Sequence, residues 1–115
     1  MATARIADLV KIASDLSCIS KDAILGESRL RHIVRVRQAV AYVAVEQGVH
    51  SLPQIGRELG GRDHSTIRHG HQTAEAVAAR DPEYALFVAA IRRRAGILRT
   101  KAPVKDYTFL RPVAA

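Results

Sequence analysis

The sequence predicts an all-α fold, a compact helical domain of about six helices that contains a helix-turn-helix. Apolar residues recur at three- and four-residue spacing along most of the first 95 positions. Cap residues, glycines and prolines divide these runs into segments of helix length, and no segment shows the alternation typical of a strand. With 115 residues, 48% of them hydrophobic and 25% charged, the composition is that of one ordinary globular domain.

Three helices are expected in the first half of the chain. An apolar stripe predicts the first over about residues 3–16, and Ser20 is expected to cap a short second helix that stops at Gly26. A polar, basic loop follows, and then a long periodic run predicts a central core helix that ends at Gly48. The buried faces are predicted to carry Ile6, Leu9, Val10, Ala13, Leu16, Ile33, Val36, Val40, Val43 and Ala44.

The next segment has the outline of a helix-turn-helix. Ser51 is positioned to cap a short helix that runs to Leu59, and Gln54 is expected to complete a capping box with it. Gly60-Gly61 permits a sharp turn with positive φ. A longer helix is predicted over about 64–79, so a short helix, a glycine turn and a longer helix follow one another.

A last helix and a tail complete the predicted organisation. Asp81-Pro82 is a helix start, and the Arg92–Arg94 cluster marks the helix end. We expect one domain over 1–99, followed by an extended, basic, proline-containing tail over 100–115. The inward face of the last helix is predicted to carry Tyr84, Phe87, Val88 and Ile91.

The charge is basic and unevenly distributed. Lys and Arg number 18 against 11 Asp and Glu, which gives a net charge of +7. Residues 29–71 hold seven arginines against three acids, and residues 92–105 hold six basic residues and no acid. This balance favours a polyanionic partner, with nucleic acid first and a membrane surface second.

Several classes of protein are excluded or disfavoured by missing motifs. The sequence has no phosphate-binding loop, dinucleotide fingerprint or metal-binding motif, so we expect no enzyme activity, nucleotide, cofactor or metal. No apolar stretch approaches the length of a membrane span and no signal peptide is apparent, so no membrane association and a cytoplasmic, nucleoid-associated location are expected. The single Cys18 allows no intrachain disulfide.

Two clusters of reactive residue types are read as non-catalytic. Asp63, His64 and Ser65 include the residue types of a hydrolase triad, but consecutive helical positions project about 100° apart and cannot form its relay. His69 and His71 lie close to His64 in sequence, but positions i and i+5 lie on different helix faces and no Cys or carboxylate completes a zinc site.

Residues 51–69, Ser-Leu-Pro-Gln-Ile-Gly-Arg-Glu-Leu-Gly-Gly-Arg-Asp-His-Ser-Thr-Ile-Arg-His, resemble the signature of the DNA-binding C-terminal domain (domain IV) of the bacterial replication initiator DnaA. The resemblance extends backward through 33–38, Ile-Val-Arg-Val-Arg-Gln, and covers about residues 5–80. It implies a Trp-repressor-like helical fold that binds DnaA-box-like double-stranded DNA as a monomer, through the major groove and the adjacent minor groove.

The chemistry of the motif suits the reading of base edges. Asp63 can accept from a cytosine amino group, and the methyl group of Thr66 can pack on a thymine methyl. His64 and Ser65 can add hydrogen bonds to bases or phosphates. The resemblance implies that Arg29 enters the minor groove, where a narrow A·T-rich groove attracts a guanidinium. The candidate base contacts are therefore Arg29, Pro53, Asp63, His64, Ser65 and Thr66.

Basic and polar groups around the motif are candidates for backbone contacts, which position a protein without reading sequence. Each has an alternative interpretation. Asp63 can be a helix cap as well as a base contact, and Arg35 and Arg37 can form a solvated face. The Arg92–Arg94 cluster fits either a second phosphate contact or favourable charges at a helix C-terminus. The candidate phosphate contacts are Arg31, Arg35, Arg37, Gln38, Arg62 and Arg68.

We therefore expect a stand-alone DNA-binding protein that regulates replication initiation or transcription without an ATPase module. Departures from the family pattern, with Val36 in place of a proline and Gly70, Gln72 and Thr73 where basic residues are usual, motivate an alternative. In that alternative the chain is an adaptor that keeps the fold and binds a protein, the initiator or replisome, through its tail and an apolar helix face. Non-specific binding of RNA or another polyanion is a third interpretation.

Overall fold

The computed structural model describes residues 4–96, and over that range it consists of helices, turns and loops without a strand. The predicted all-α fold is confirmed, and the predicted helix ends lie within three residues of the observed ones. The six helices of the described range are α1 (Ile6–Ser17), α2 (Lys21–Leu25), α3 (Arg31–Gln47), α4 (Leu52–Glu58), α5 (His64–Arg80) and α6 (Pro82–Arg94).

Local capping explains where several helices begin. Ser20, Ser51 and Asp81 each accept a backbone N–H from the first turn of α2, α4 and α6, as N-cap residues do. The predicted capping box of α4 forms by half. The Gln54 backbone N–H donates to Ser51 Oγ at 3.2 Å, but the Gln54 side chain donates to Glu58 Oε2 instead of returning to the cap.

The core is organised around α3, which contacts all five other helices of the described range. The residues predicted to face inward on α1, α3 and α6 are buried, apart from Leu16, which is half-buried at the edge of the core. From α4 and α5 the core receives Ile55, Leu59 and Ile67. The short α4 is thus attached to the domain by apolar contacts, and these contacts hold the helix-turn-helix against the core around α3.

Polar contacts attach α6 to α3. The Arg92 guanidinium donates to Glu46 Oε1 at 2.5 and 2.7 Å and lies 5.2 Å from the centre of the Tyr42 ring. At the other end of α6, the buried Tyr84 hydroxyl donates to the Arg35 carbonyl at 2.7 Å, and burial raises the pKa of that phenol. Arg92 is therefore engaged with α3, and all three arginines of the cluster lie in the last turn of α6, where positive charge is favourable.

Two further expectations concern membrane-spanning helices and the C-terminal end of the domain. Within residues 4–96, no helix combines the length and the apolar character that crossing a membrane requires. The predicted domain end at 99 and the tail over 100–115 lie outside the described residues.

Candidate nucleic-acid interface

The turn between α4 and α5 is closed by backbone hydrogen bonds that return to α4, two of them to one carbonyl. The Gly56 carbonyl accepts from the N–H groups of Gly61 and Arg62 at 3.0 and 2.8 Å. Gly60 and Gly61 both have positive φ, +91° and +79°, as the double-glycine turn predicts. A Cβ on Gly56 would lie 1.9 Å from the Arg62 carbonyl oxygen, so the close approach of turn and helix requires a glycine there.

Sequence reasoning missed Gly56. The available signal was a glycine inside a short helix, four residues before the double glycine, at a position where helix propensity alone disfavours it. Its role depends on the backbone of the turn folding back over α4, which the local sequence does not reveal.

Asp63 caps α5, the longer helix of the motif. Its Oδ1 accepts the Thr66 backbone N–H at 2.8 Å. This hydrogen bond is the main reason that the pKa of Asp63 lies below its ordinary value, since it stabilises the charged carboxylate. A carboxylate offers about four acceptor sites, so capping leaves it able to accept from a further donor.

The residues of the first turn of α5 point to solvent. Asp63, His64, Ser65 and Thr66 are all exposed, whereas the next residue, Ile67, is buried in the core. A buried anchor directly after four exposed polar positions holds the helix start on the surface with its polar groups free to meet a partner. Among the other candidate contacts, Pro53 at the start of α4 and Arg68 on α5 are also exposed.

The loop between α2 and α3 carries the residue predicted for the minor groove. Arg29 and Arg31 are exposed on either side of Leu30, which is itself 60% exposed. The loop lies beside the helix-turn-helix, because a Cβ on Gly60 would come within 2.0 Å of the Leu25 carbonyl oxygen at the start of this loop.

Arg37 occupies a different environment from the one predicted. Its side chain is buried, and it donates four hydrogen bonds to main-chain carbonyls, so it lies neither on a solvated face nor in a position to meet phosphates. Burial, and then the charge of Arg62, lower the pKa of Arg37. The sequence pattern places a cationic side chain next to a core position but does not reveal its hydrogen-bond partners. The accepting residues are Ala23, Ile24, Gly26 and Ser28.

Arg62 is likewise turned inward. Its half-buried guanidinium donates to the carbonyls of Leu25, Gly26 and Leu59. Burial lowers the pKa of Arg62, and the nearby carboxylate of Glu27 partly opposes that effect. This arginine was predicted as a phosphate contact, but its donors are directed into the protein.

Two other predicted phosphate contacts sit side by side on α3. Arg35 Nη1 donates to Gln38 Oε1 at 3.0 Å, and both side chains are half-buried. The Gln38 side chain also faces Gly70 of α5, where an added Cβ would make an ordinary contact at 3.5 Å. The candidate phosphate contacts with donors at the surface are therefore Arg31 and Arg68, with Arg35 and Gln38 at its edge.

No metal centre is formed within residues 4–96, where no three His, Cys, Asp or Glu side chains converge. The histidines of α5 have separate surroundings. His71 lies against Tyr42, with ring centres 5.1 Å apart, and His69 Nε2 lies 3.5 Å from the Thr73 hydroxyl.

A short helix, a glycine turn and a second helix with an exposed, polar first turn define a helix-turn-helix DNA-binding domain. The family model described as the bacterial dnaA protein helix-turn-helix matches residues 6–74, more than half of the chain. The chain therefore belongs to that family, and the resemblance recognised in its sequence is confirmed.

Individual relatives carry the same family name. The chain is 41% identical over 75 residues to the chromosomal replication initiator protein DnaA of Sphingopyxis alaskensis, and 44% identical over 70 residues to that of Cereibacter sphaeroides. A third, from Bradyrhizobium sp., is 33% identical over 90 residues. The matches cover 65%, 61% and 78% of this chain but 17%, 15% and 19% of the relatives, so the chain spans less than a fifth of their length.

Proposed function

We propose that the protein binds DnaA-box-like double-stranded DNA in a sequence-specific manner, as a monomer, and thereby regulates replication initiation or transcription. The observation that carries the proposal is the exposed first turn of α5, residues 63–66, in a chain of the DnaA helix-turn-helix family. The regulation that we propose is occupancy of such sites, which DNA binding by a helix-turn-helix is sufficient to produce.

In the major groove, the first turn of α5 presents groups that distinguish base pairs. Asp63 supplies an acceptor for a cytosine amino group, and Thr66 supplies a methyl group for thymine. His64 and Ser65 stand between them with hydrogen-bonding groups at the surface, and Pro53 lies exposed at the start of α4. A helix N-terminus also favours the approach of backbone phosphates.

In the adjacent minor groove, Arg29 is the proposed contact. It extends from the loop that follows Leu25, whose carbonyl lies against the glycine turn, and this proximity supports contact of Arg29 with the groove next to the one that the first turn of α5 would occupy. Backbone phosphates would be met by Arg31, Arg68, Arg35 and Gln38, which we propose as positioning contacts that favour all sequences alike. Arg37 and Arg62 are not part of this proposed set, because their donors are committed to main-chain carbonyls.

Fluorescence anisotropy tests the proposal. A labelled DnaA-box duplex and a scrambled duplex of equal composition are titrated with protein at salt concentrations from about 50 to 200 mM. We expect tighter binding to the box by at least about a thousandfold, the lower end for specific recognition, with both affinities falling as salt rises.

Equal affinity for the two duplexes would contradict sequence-specific binding and leave a non-specific polyanion binder. Absence of salt-dependent binding to either duplex would favour the adaptor interpretation, in which a protein partner is retained in a pull-down and lost when residues 101–115 are deleted.

A further inference from the structure

Two arginines donate hydrogen bonds to the same short stretch of backbone. The carbonyls from Ala23 to Gly26, together with that of Ser28, accept hydrogen bonds from the guanidiniums of Arg37 and Arg62. The Gly26 carbonyl accepts from both. This stretch, residues 23–28, ends one residue before Arg29, and we call it the carbonyl segment.

The carbonyl segment needs these donors for a physical reason. The last carbonyls of any α-helix have no partner within the helix, and α2 has only five residues. A buried carbonyl without a donor is costly, and a positive charge at a helix C-terminus is favourable. Two guanidiniums that neighbour each other repel, but each offers several donors in a fixed planar array that suits closely spaced oxygens.

The two arginines that hold the carbonyl segment belong to different parts of the fold. Arg37 belongs to α3, in the core of the domain, whereas Arg62 belongs to the turn of the helix-turn-helix. Gly60 brings the same turn directly against the segment, where an added Cβ would lie 2.0 Å from the Leu25 carbonyl oxygen. Arg62 therefore links the loop that carries Arg29 to the turn that precedes α5.

We propose that Arg62 is a positioning residue. It fixes the position of Arg29, the proposed minor-groove contact, relative to the first turn of α5, the proposed major-groove contact. The inference rests on the function proposed above. Arg62 immediately precedes Asp63, the first residue of the major-groove reader, and its guanidinium holds Leu25 and Gly26, three to four residues before Arg29. Arg62 thereby connects the loop that carries Arg29 to the start of α5. It affects DNA recognition through the position of Arg29 and not by contacting a phosphate.

The variant Arg62→Lys separates positioning from phosphate contact. Lysine retains the charge and binds phosphate as a point charge, but its single ammonium cannot reproduce the planar array that reaches three carbonyls. Arg57→Lys is the matched control, because Arg57 is an exposed arginine of α4 with no part in the proposed site. Circular dichroism melting shows that each variant is folded at the temperature of the binding assay.

Binding is measured on a panel of box duplexes with one base pair changed at a time. Base pairs whose discrimination falls in Arg29→Ala define the minor-groove positions, and those whose discrimination falls in Asp63→Asn define the major-groove positions. Each mismatch normally costs roughly 5- to 150-fold in affinity. We expect Arg62→Lys to lose most of this discrimination at the minor-groove positions, to keep it at the major-groove positions, and to leave the salt slope unchanged. Arg57→Lys should match the wild type.

The double variant Arg29→Ala, Arg62→Lys should discriminate no less than Arg29→Ala alone, because positioning an absent guanidinium has no effect. Full discrimination by folded Arg62→Lys at every position would overturn the inference, and so would an equal loss of affinity on all duplexes. If Arg62→Lys does not fold, Arg62→Gln, which retains one amide donor group, is measured by the same criteria. A wild type that binds every duplex equally contradicts the proposed function itself, so the two failures are distinguishable.

Discussion

At the scale of single residues, Asp63 combines a structural role with a proposed recognition role. Its carboxylate caps α5 through the Thr66 N–H, and the same carboxylate lies exposed at the proposed DNA surface. The sequence left open whether Asp63 is a cap or a base contact. The structure establishes the cap, and the two roles are compatible because a carboxylate has acceptors for both.

Substitutions at Asp63 separate these roles. Asparagine caps helices about as well as aspartate, but its amide nitrogen presents a donor where cytosine requires an acceptor. We expect Asp63→Asn to keep the wild-type melting temperature and to lose roughly tenfold in discrimination at the cognate base pair. Asp63→Ala should lose both, and circular dichroism melting with anisotropy titration measures the two effects. Unchanged discrimination in Asp63→Asn would show that Asp63 only caps.

At the scale of elements, two glycines of the helix-turn-helix differ in whether the structure requires them. Gly56 allows the turn to fold back over α4, whereas Gly70 lies in the middle of α5 where α5 approaches α3. Both are glycines within helices, and the sequence offers little to distinguish them. The difference between them is the space around each Cβ position.

The pair Gly56→Ala and Gly70→Ala tests this difference. A Cβ at position 56 would clash with the Arg62 carbonyl, so we expect a loss of about 2 kcal/mol in the free energy of unfolding. A Cβ at position 70 meets Gln38 at 3.5 Å, so alanine should stabilise the domain by about 0.5–1 kcal/mol through helix propensity. Urea denaturation monitored by circular dichroism measures both. A loss of equal size in the two variants would contradict the steric argument.

At the scale of the whole molecule, the basic charge is divided between folding and surface. Arg37, Arg62 and Arg92 are engaged with carbonyls, a carboxylate and an aromatic ring, so the net charge of +7 overstates the number of cations that face a partner. Exposed arginines such as Arg31 and Arg68 remain for phosphate contact. The salt dependence of binding should therefore report on the exposed set alone.

The comparison of Arg31→Gln with Arg92→Gln checks this division. Each neutralised phosphate contributes about 0.9 to the slope of log K against log salt, so Arg31→Gln should reduce the slope by about that amount. Arg92→Gln removes the same charge from an intramolecular ion pair with Glu46 and should leave the slope unchanged. Anisotropy titrations at four or more salt concentrations give both slopes, and a reduced slope in Arg92→Gln would place Arg92 on the DNA.

The sequence by itself determined the helices, the double-glycine turn, the caps of α2, α4 and α5, the start of α6, and the family. These features depend on apolar periodicity and on contacts within about four residues, which a linear pattern contains. The tertiary structure decided which groups the arginine side chains contact. Arg37 reaches carbonyls up to 14 residues away and Arg62 reaches up to 37, so a basic pattern alone could not separate cations that face solvent from cations that satisfy the backbone. Long, multi-donor side chains take their partners from the fold, because the nearest unsatisfied carbonyls are set by where helices end in space.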